Sequence, residues 1–345
     1  PKGVMSTYAV TASMTQIQLA EWEFPSDVRM LIATPLSHAA AAFFIPVLQK
    51  GGAFYVMQGF SPDAFFDMVE QHRITCTMLV PVMLYMLLDA PRAATADMSS
   101  MQTLFYGASP ISPVRLAEGI RKWGQIFYQF FGQSEAPMVI ANMSKAEHDL
   151  ARPERLASCG RPSPWVHLAL LDDAGKPVDR GEPGEICVRG PLVMKGYKDM
   201  PQETAEAFAG GWLHTGDVGR LDGEGFLYIV DRTKDMIVTG GFNVFPREVE
   251  DVLASHTAVG QVVVIGVPDE QWGEAVKAVV VLKPGFEAST ELVHALQSLV
   301  KQAKGSVQAP KSIDFPASIP LTPVGKPDKK AVRARYWQGT ERGIG

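Results

Sequence analysis

Between residues 27 and 123 the chain alternates extended apolar runs with segments of helical period, and that alternation restricts the folds open to it. Residues 27–57 are apolar runs broken by Pro and Gly, and residues 65–72 carry apolar side chains at helical spacing. A β-branched, apolar run follows at Thr75-Cys76-Thr77-Met78-Leu79-Val80, and within 113–123 Val114, Leu116 and Ile120 are candidates for a helix face. Strands alternating with helices specify an α/β layered sheet. From 168 to 193 the texture changes to short strands separated by Asp173-Ala174-Gly175 and Gly181-Glu182-Pro183-Gly184, the signature of a small β-rich subdomain. Beyond Asp235 come Val262-Val263-Val264-Ile265, Ala278-Val279-Val280-Val281-Leu282 and a helix-like stretch over 290–304, which read as a separate α+β unit.

A chain of 345 residues has room for two or three folding units. Hydrophobic residues at 46% and charged residues at 20% exclude a disordered or collagen-like chain. The net charge of −5, with no Lys/Arg run, argues against nucleic acid as a partner. Cys76, Cys159 and Cys187 are widely spaced and odd in number, which fits reduced thiols in a cytoplasmic protein better than a disulfide framework. None has CxxC spacing, and no metal cluster or partnered nucleophile is visible. The apolar runs 39–48 and 78–88 each contain a proline and fall short of the ~20 residues of a membrane span, so no transmembrane segment is expected.

Five motifs occur in order. They are Gly107-Ala108-Ser109-Pro110, Phe131-Gly132-Gln133-Ser134-Glu135, Gly211-Trp212-Leu213-His214-Thr215-Gly216-Asp217, Tyr228-Ile229-Val230-Asp231-Arg232-Thr233-Lys234-Asp235 and Leu321-Thr322-Pro323-Val324-Gly325-Lys326. In order and approximate spacing the set resembles the AMP-forming acyl-adenylate synthetases, and the resemblance covers essentially the whole chain. It implies a partial N-terminal adenylate-forming α/β domain over 1–231, with its β-rich subdomain at about 160–231. A mobile α+β C-terminal lid follows over 232–345. The opening Pro1-Lys2-Gly3-Val4 resembles the close of the family's Ser/Thr/Gly-rich phosphate loop, with the Gly-rich half absent, and Lys2 is a candidate phosphate contact.

Adenylation needs a magnesium-bound triphosphate, a cation to offset charge as a carboxylate attacks the α-phosphate, and a mould for adenosine. Glu135 is the candidate Mg2+ ligand, because a hard cation takes one or two protein carboxylates beside phosphates. Ser134 would add a hydroxyl. The family more often has Tyr and Thr where Phe131 and Ser134 stand: Phe131 keeps a stacking face without the phenol, and Ser134 keeps the hydroxyl. By resemblance Gly107, Ala108, Ser109 and Pro110 form the adenine wall, where small residues let backbone approach a flat base. Taken alone, they are also a plain strand-to-helix turn with Ser112 as a helix cap. Phe131, Gly132, Ser134 and Tyr228 complete the nucleotide-contacting set. Asp217 has the chemistry to accept from both ribose hydroxyls, and Arg232 that to donate to the sugar or a phosphate.

Asp231 matches the hinge at which the family's lid turns between half-reactions. Lys326 matches the lid lysine that reaches the acyl carboxylate and α-phosphate. Gly240, Gly241 and Phe242 resemble the loop that admits the pantetheine arm, and Pro246 is expected to start a helix, with Glu248 and Glu250 in its first turns. Trp272-Gly273-Glu274 is family-like without a chemical assignment. His38 falls near the acyl site as core histidine, substrate gate or general base.

The reaction implied is carboxylic acid plus MgATP to acyl-adenylate, then CoA thioester, with ATP, Mg2+ and coenzyme A as its small molecules. A carrier-protein-loading adenylation enzyme and a non-catalytic nucleotide-binding fragment are the rivals, with luciferase-like oxidation behind them. Phe43, Phe44, Ile45 and the small residues 39–42 suit a fatty or aryl acid, but are equally good core residues. Oligomeric state, a homodimer included, is not readable from the sequence.

Overall fold

Val4–Met5 forms β1 and Tyr8–Glu21 forms α1, which starts at Thr7 because its hydroxyl accepts from the Val10 N–H at 3.2 Å. The computed structural model describes residues 2–232, 235–322 and 327–337. Seven strands build the central sheet: β2 (Arg29–Ile32), β3 (Ala53–Val56), β4 (Cys76–Leu79), β5 (Thr103–Gly107), β6 (Phe127–Gln133), β7 (Ala136–Met143) and β8 (Arg161–Pro162). Their order is β3-β2-β4-β5-β6-β7-β8, parallel from β3 to β6 and antiparallel from β6 to β8. Parallel neighbours require crossovers, supplied by α2 (Phe44–Gln49), α3 (Pro62–His72), α4 (Pro81–Asp89) and α5 (Pro113–Trp123). Helices α3, α4 and α5 begin at prolines, where the missing N–H costs nothing, and α5 stops at Gly124 with φ of 80°. Covered on both faces, β4 and β5 are buried along their length. Trp22 anchors the core, its ring centroid 5.2–5.7 Å from those of Phe43, Phe105, Tyr128 and Phe130.

The β-rich part expected after residue 160 contains β9 (His167–Leu171), β10 (Gly184–Arg189), β11 (Gly196–Tyr197), α6 (Pro201–Ala207), β12 (Leu213–Leu221) and β13 (Leu227–Arg232). Four of its strands form a sheet in the order β13-β12-β10-β9. The short β11 instead pairs antiparallel with β1, Tyr197 opposite Val4.

Contacts divide the chain into one unit of residues 1–215 and 219–229 and a second of 216–218 and 230–345. The second holds β14 (Ile237–Thr239), β15 (Phe242–Val244), α7 (Pro246–Ala254), β16 (Val259–Asp269), β17 (Gly273–Leu282), α8 (Thr290–Lys304), β18 (Ser312–Asp314) and α9 (Lys329–Ala334). Its sheet runs β15-β14-β17-β16, with β18 parallel beside β17. Val249 and Leu253 of α7, Leu296 and Val300 of α8, and Val264 and Val276 of the sheet share one buried core. Ser289 caps α8 by accepting from the Leu292 N–H at 3.2 Å, and Pro246 opens α7 as expected.

Candidate functional site

The neighbouring parallel strands β5 and β6 carry two of the sequence motifs to the same end of the central sheet, where open α/β sheets bind ligands. Gly107, paired with Phe130, ends β5; a Cβ there would stand 2.3 Å from the Phe130 carbonyl oxygen, so only glycine fits. Ala108 follows in the left-handed region with φ of 63°, a conformation that non-glycine residues adopt at a cost. Ala108 and Ser109 are half-buried and Pro110 is exposed. The turn does precede α5, but the Ser112 side chain makes no cap. Its own N–H donates instead to the Tyr85 hydroxyl at 2.7 Å.

Gly132 lies where the β6–β7 register shifts, and a Cβ there would meet the Met138 nitrogen at 2.3 Å. Gln133 pairs with Ala136, so Ser134 and Glu135 are the two-residue connection of a hairpin, Ser134 exposed and Glu135 half-buried. Glu135 is held from two sides. Its carbonyl accepts from the Met194 N–H at 2.8 Å and its Oε1 from the Tyr197 hydroxyl at 2.9 Å. Burial, reinforced by Glu135, pushes the Tyr197 phenol up to about 12, so it stays a donor. The Lys2 ammonium lies 4.6 Å from the centroid of the Tyr197 ring. Lys2, Tyr197 and Glu135 therefore converge, offering one carboxylate to a hard cation and one ammonium to an anion. Sequence reasoning named Lys2 and Glu135 but missed Tyr197, which the two-residue β1–β11 pairing delivers.

Other sequence candidates make contacts of their own. Phe131 is half-buried against the core. Tyr228 directs its hydroxyl to Asp222 Oδ2 at 3.1 Å, under the Arg220 guanidinium 4.4 Å from its ring. Burial and then Asp222 push that phenol up to about 12. His38 is exposed, with Ser37 Oγ 2.8 Å from its Nδ1. Phe43 is fully buried against Trp22, and Phe44 stacks on Phe54 at 4.5 Å, so both serve as packing residues. A grouping that was not visible in the sequence is that of Glu185, Cys187 and His214, which the tertiary fold brings together.

In the second unit Asp217 and Asp231 are both buried. Asp231 Oδ2 accepts from the Arg247 N–H at 3.0 Å, at the positive end of α7. Lys329, the first residue of α9, pairs with Glu250 Oε1 at 2.9 Å, and that oxygen also accepts from the Val264 N–H at 2.8 Å. Burial works against the Lys329 charge, but Glu250, Asp231 and Asp235 outweigh it and hold the ammonium above its ordinary value. Gly240 and Gly241, with φ of 56° and 82°, turn a tight hairpin between β14 and β15. Phe242 is exposed beside them, and a Cβ on Gly240 would stand 2.5 Å from the Trp272 ring. Trp272 and Glu274 thus acquire structural roles, Glu274 Oε2 accepting from the Val238 N–H at 3.1 Å. Lys326 and the side chain of Arg232 lie outside the described residues, although a bridge between Leu321 and Pro327 brackets the Lys326 segment.

The AMP-binding enzyme family model matches residues 1–198, and that of the AMP-binding enzyme C-terminal domain matches residues 248–326. The chain is 59% identical to the medium/long-chain-fatty-acid–CoA ligase FadD8 of Mycobacterium tuberculosis, an alignment covering 100% of this chain and 61% of that protein. Against feruloyl-CoA synthase of an Amycolatopsis species, identity is 39% over 97% of this chain and 67% of the relative. The solved amide bond synthetase McbA of Marinactinospora thermotolerans superposes with a TM-score of 0.92 at 37% identity, covering 97% of this chain and 68% of that one. The chain thus spans about three fifths of the fatty-acid ligase's length and about two thirds of the others. Among the described residues no helix is long and apolar enough to cross a membrane. With both family models matched and an adenylate-forming fold present, this chain belongs to the AMP-binding enzymes, the AMP-forming acyl-adenylate synthetases.

Proposed function

We propose that this protein is an AMP-forming acid–thiol ligase that converts a carboxylic acid, MgATP and coenzyme A into an acyl-CoA, AMP and pyrophosphate. The observation that carries the reading is the convergence of Lys2, Tyr197 and Glu135, at the hairpin that follows the strand paired with the Gly107 turn. In the first step a substrate carboxylate oxygen attacks the α-phosphorus and the bond to pyrophosphate breaks. Gly107, Ala108, Ser109 and Pro110 form the adenine wall, Asp217 and Arg232 take the ribose, and Lys2 takes a phosphate. Glu135, aimed by Tyr197, holds Mg2+ with Ser134 close by; a bound Mg2+ neutralises triphosphate charge. Lys326 supplies the cation at the α-phosphate. In the second step the CoA sulfur attacks the acyl carbonyl, AMP leaves with the bonding pair and the thiol proton is released. The arm enters past Gly240, Gly241 and Phe242, with Asp231 as hinge.

A medium or long fatty acid is the favoured substrate, since the 59% identical relative bears that name; the feruloyl-CoA synthase keeps aryl acids in the test. Cys76, Cys159 and Cys187, none of them in a disulfide, support a reducing, cytoplasmic setting. Hydroxylamine trapping of adenylates across aliphatic and aryl acids, followed by thioester formation with CoA, tests the reading. The high structural similarity to an amide bond synthetase favours a second acceptor, an amine, and replacing CoA by amines in the same assay separates the two.

A further inference from the structure

One face of the β10–β12 pair carries a side-chain cluster that adenylation chemistry does not use. Glu185 and Cys187 stand two residues apart on β10, hence on the same face, and His214 lies on the neighbouring strand β12. His214 Nδ1 is 2.7 Å from Glu185 Oε2 and 3.5 Å from Cys187 Sγ, and the three ligand atoms all lie within 4.8 Å of one another. Cys187 forms the buried floor, while Glu185 and His214 are half-buried at the rim.

Two features separate this arrangement from an ordinary ion pair. First, both ring nitrogens of His214 face acceptors, Nδ1 the Glu185 carboxylate and Nε2 the Ala209 carbonyl at 3.2 Å. The carbonyl can only accept, so Nε2 carries its proton and Nδ1 is left to hold either a second proton or a metal. This is how ligating histidines are usually oriented, with the far N–H donated to a backbone oxygen. Second, the nitrogen–sulfur edge has the length a tetrahedral ion requires. With Zn–N near 2.0–2.1 Å and Zn–S near 2.3 Å, the N···S edge of a tetrahedron is about 3.5 Å. The observed Nδ1···Sγ distance is 3.5 Å. The N···O edge would be about 3.3 Å, so the Glu185 carboxylate has only to swing outward by a fraction of an ångström from the rim.

We propose that Glu185, Cys187 and His214 form a site for a borderline-soft divalent ion of the zinc type, bound through Oε2, Sγ and Nδ1 with water in the fourth position. A Cys/His/carboxylate donor set favours such an ion over Mg2+ or Ca2+. Binding expels the thiol proton of Cys187 and the proton between His214 and Glu185 to solvent. Because both protons must leave, affinity rises with pH. The ion clasps β10 to β12 and, through Nε2, the Ala209–Gly211 turn, whose carbonyls Arg189 of β10 already holds at 2.5 and 2.8 Å.

The test is titration of the metal-free full chain with Co2+, then Zn2+, at neutral and mildly alkaline pH. The expected result is one equivalent of Co2+ with thiolate-to-metal absorption and tetrahedral d–d bands, displaced by Zn2+ and tighter at the higher pH. Cys187→Ser abolishes the thiolate band and weakens binding by roughly tenfold or more. Glu185→Gln, at the half-buried rim, weakens binding but keeps the band, and Cys159→Ser changes neither. A Co2+ complex without the thiolate band, a band that survives Cys187→Ser, or unchanged stoichiometry in His214→Ala would each reduce the cluster to a hydrogen-bonded ion pair and overturn the proposal.

Discussion

The Tyr197 hydroxyl donates to Glu135 Oε1 across 2.9 Å, tying the hairpin after β6 to a strand 62 residues further along the chain. The bond fixes the direction in which the Glu135 carboxylate offers itself. If Glu135 holds the magnesium of MgATP, Glu135→Gln lowers adenylate formation by about 10²–10³-fold, the scale of losing one electrostatic contact to a transition state. Tyr197→Phe leaves the carboxylate in place but unaimed. It costs about tenfold, as for a hydrogen bond to a charged group, and is partly rescued by raised Mg2+. Adenylate trapping across a Mg2+ series checks both, and rescue of Glu135→Gln to the same extent would argue against the assignment.

At the neighbouring strand end, Gly107 and Ala108 make opposite predictions. Gly107→Ala forces a Cβ into the Phe130 carbonyl oxygen, 2.3 Å away, and destabilises by about 1–3 kcal/mol or more. Ala108→Gly relieves a positive φ of 63° and stabilises by up to ~1 kcal/mol. Urea denaturation reads both, and the pair of signs is the check.

His148 lies fully buried between the Ser144 carbonyl at 2.7 Å and the Tyr106 hydroxyl at 2.8 Å. Burial lowers its pKa from 6.5 to about 4. The folded state thus binds this proton less readily than the unfolded one. Its stabilising effect is complete above pH 6.5 and is lost as pH falls towards about 4, on the order of 3 kcal/mol across that window. His148→Gln should flatten that part of the stability profile; an unchanged acid limb would assign it to other groups.

Lys329 and Glu250 form a largely buried pair within the second unit, their side chains 21% and 16% exposed. Removing one partner leaves the other desolvated and unpaired, so Lys329→Met costs about 1.5–3 kcal/mol. Lys329→Met with Glu250→Gln recovers part of that loss, which a double-mutant cycle measures. Because the folded Lys329 pKa is raised, the pair contributes fully below 10.5 and fades as pH climbs through the raised value. A cycle with no coupling would show that the pair contributes nothing.

Local pattern made some of this legible in advance. The helices over 113–123 and 290–304 have the boundaries that period, proline and glycine suggest, and Pro246 starts α7. Long-range partners were not legible. Tyr197 reaches Glu135 only through β1–β11, two residues long, and the Glu185–Cys187–His214 cluster needs two strands brought side by side. Ser112 does occupy the N-cap position of α5, but its side chain makes no capping hydrogen bond, and its N–H donates to the hydroxyl of Tyr85 on α4. The resemblance of Gly240-Gly241 to the loop that admits the pantetheine arm carried no turn geometry. Flanked by Ile237-Val238-Thr239 and Phe242-Asn243-Val244, the two residues are the glycine pair of a tight hairpin.

The most direct test of the central claim is hydroxylamine trapping of acyl-adenylates from MgATP and a panel of acids, in the full-length protein bearing this sequence. The account predicts a hydroxamate with medium or long fatty acids that disappears in Lys326→Ala. Nucleotide binding without hydroxamate from any acid, or trapping unaffected by Lys326→Ala, would contradict it.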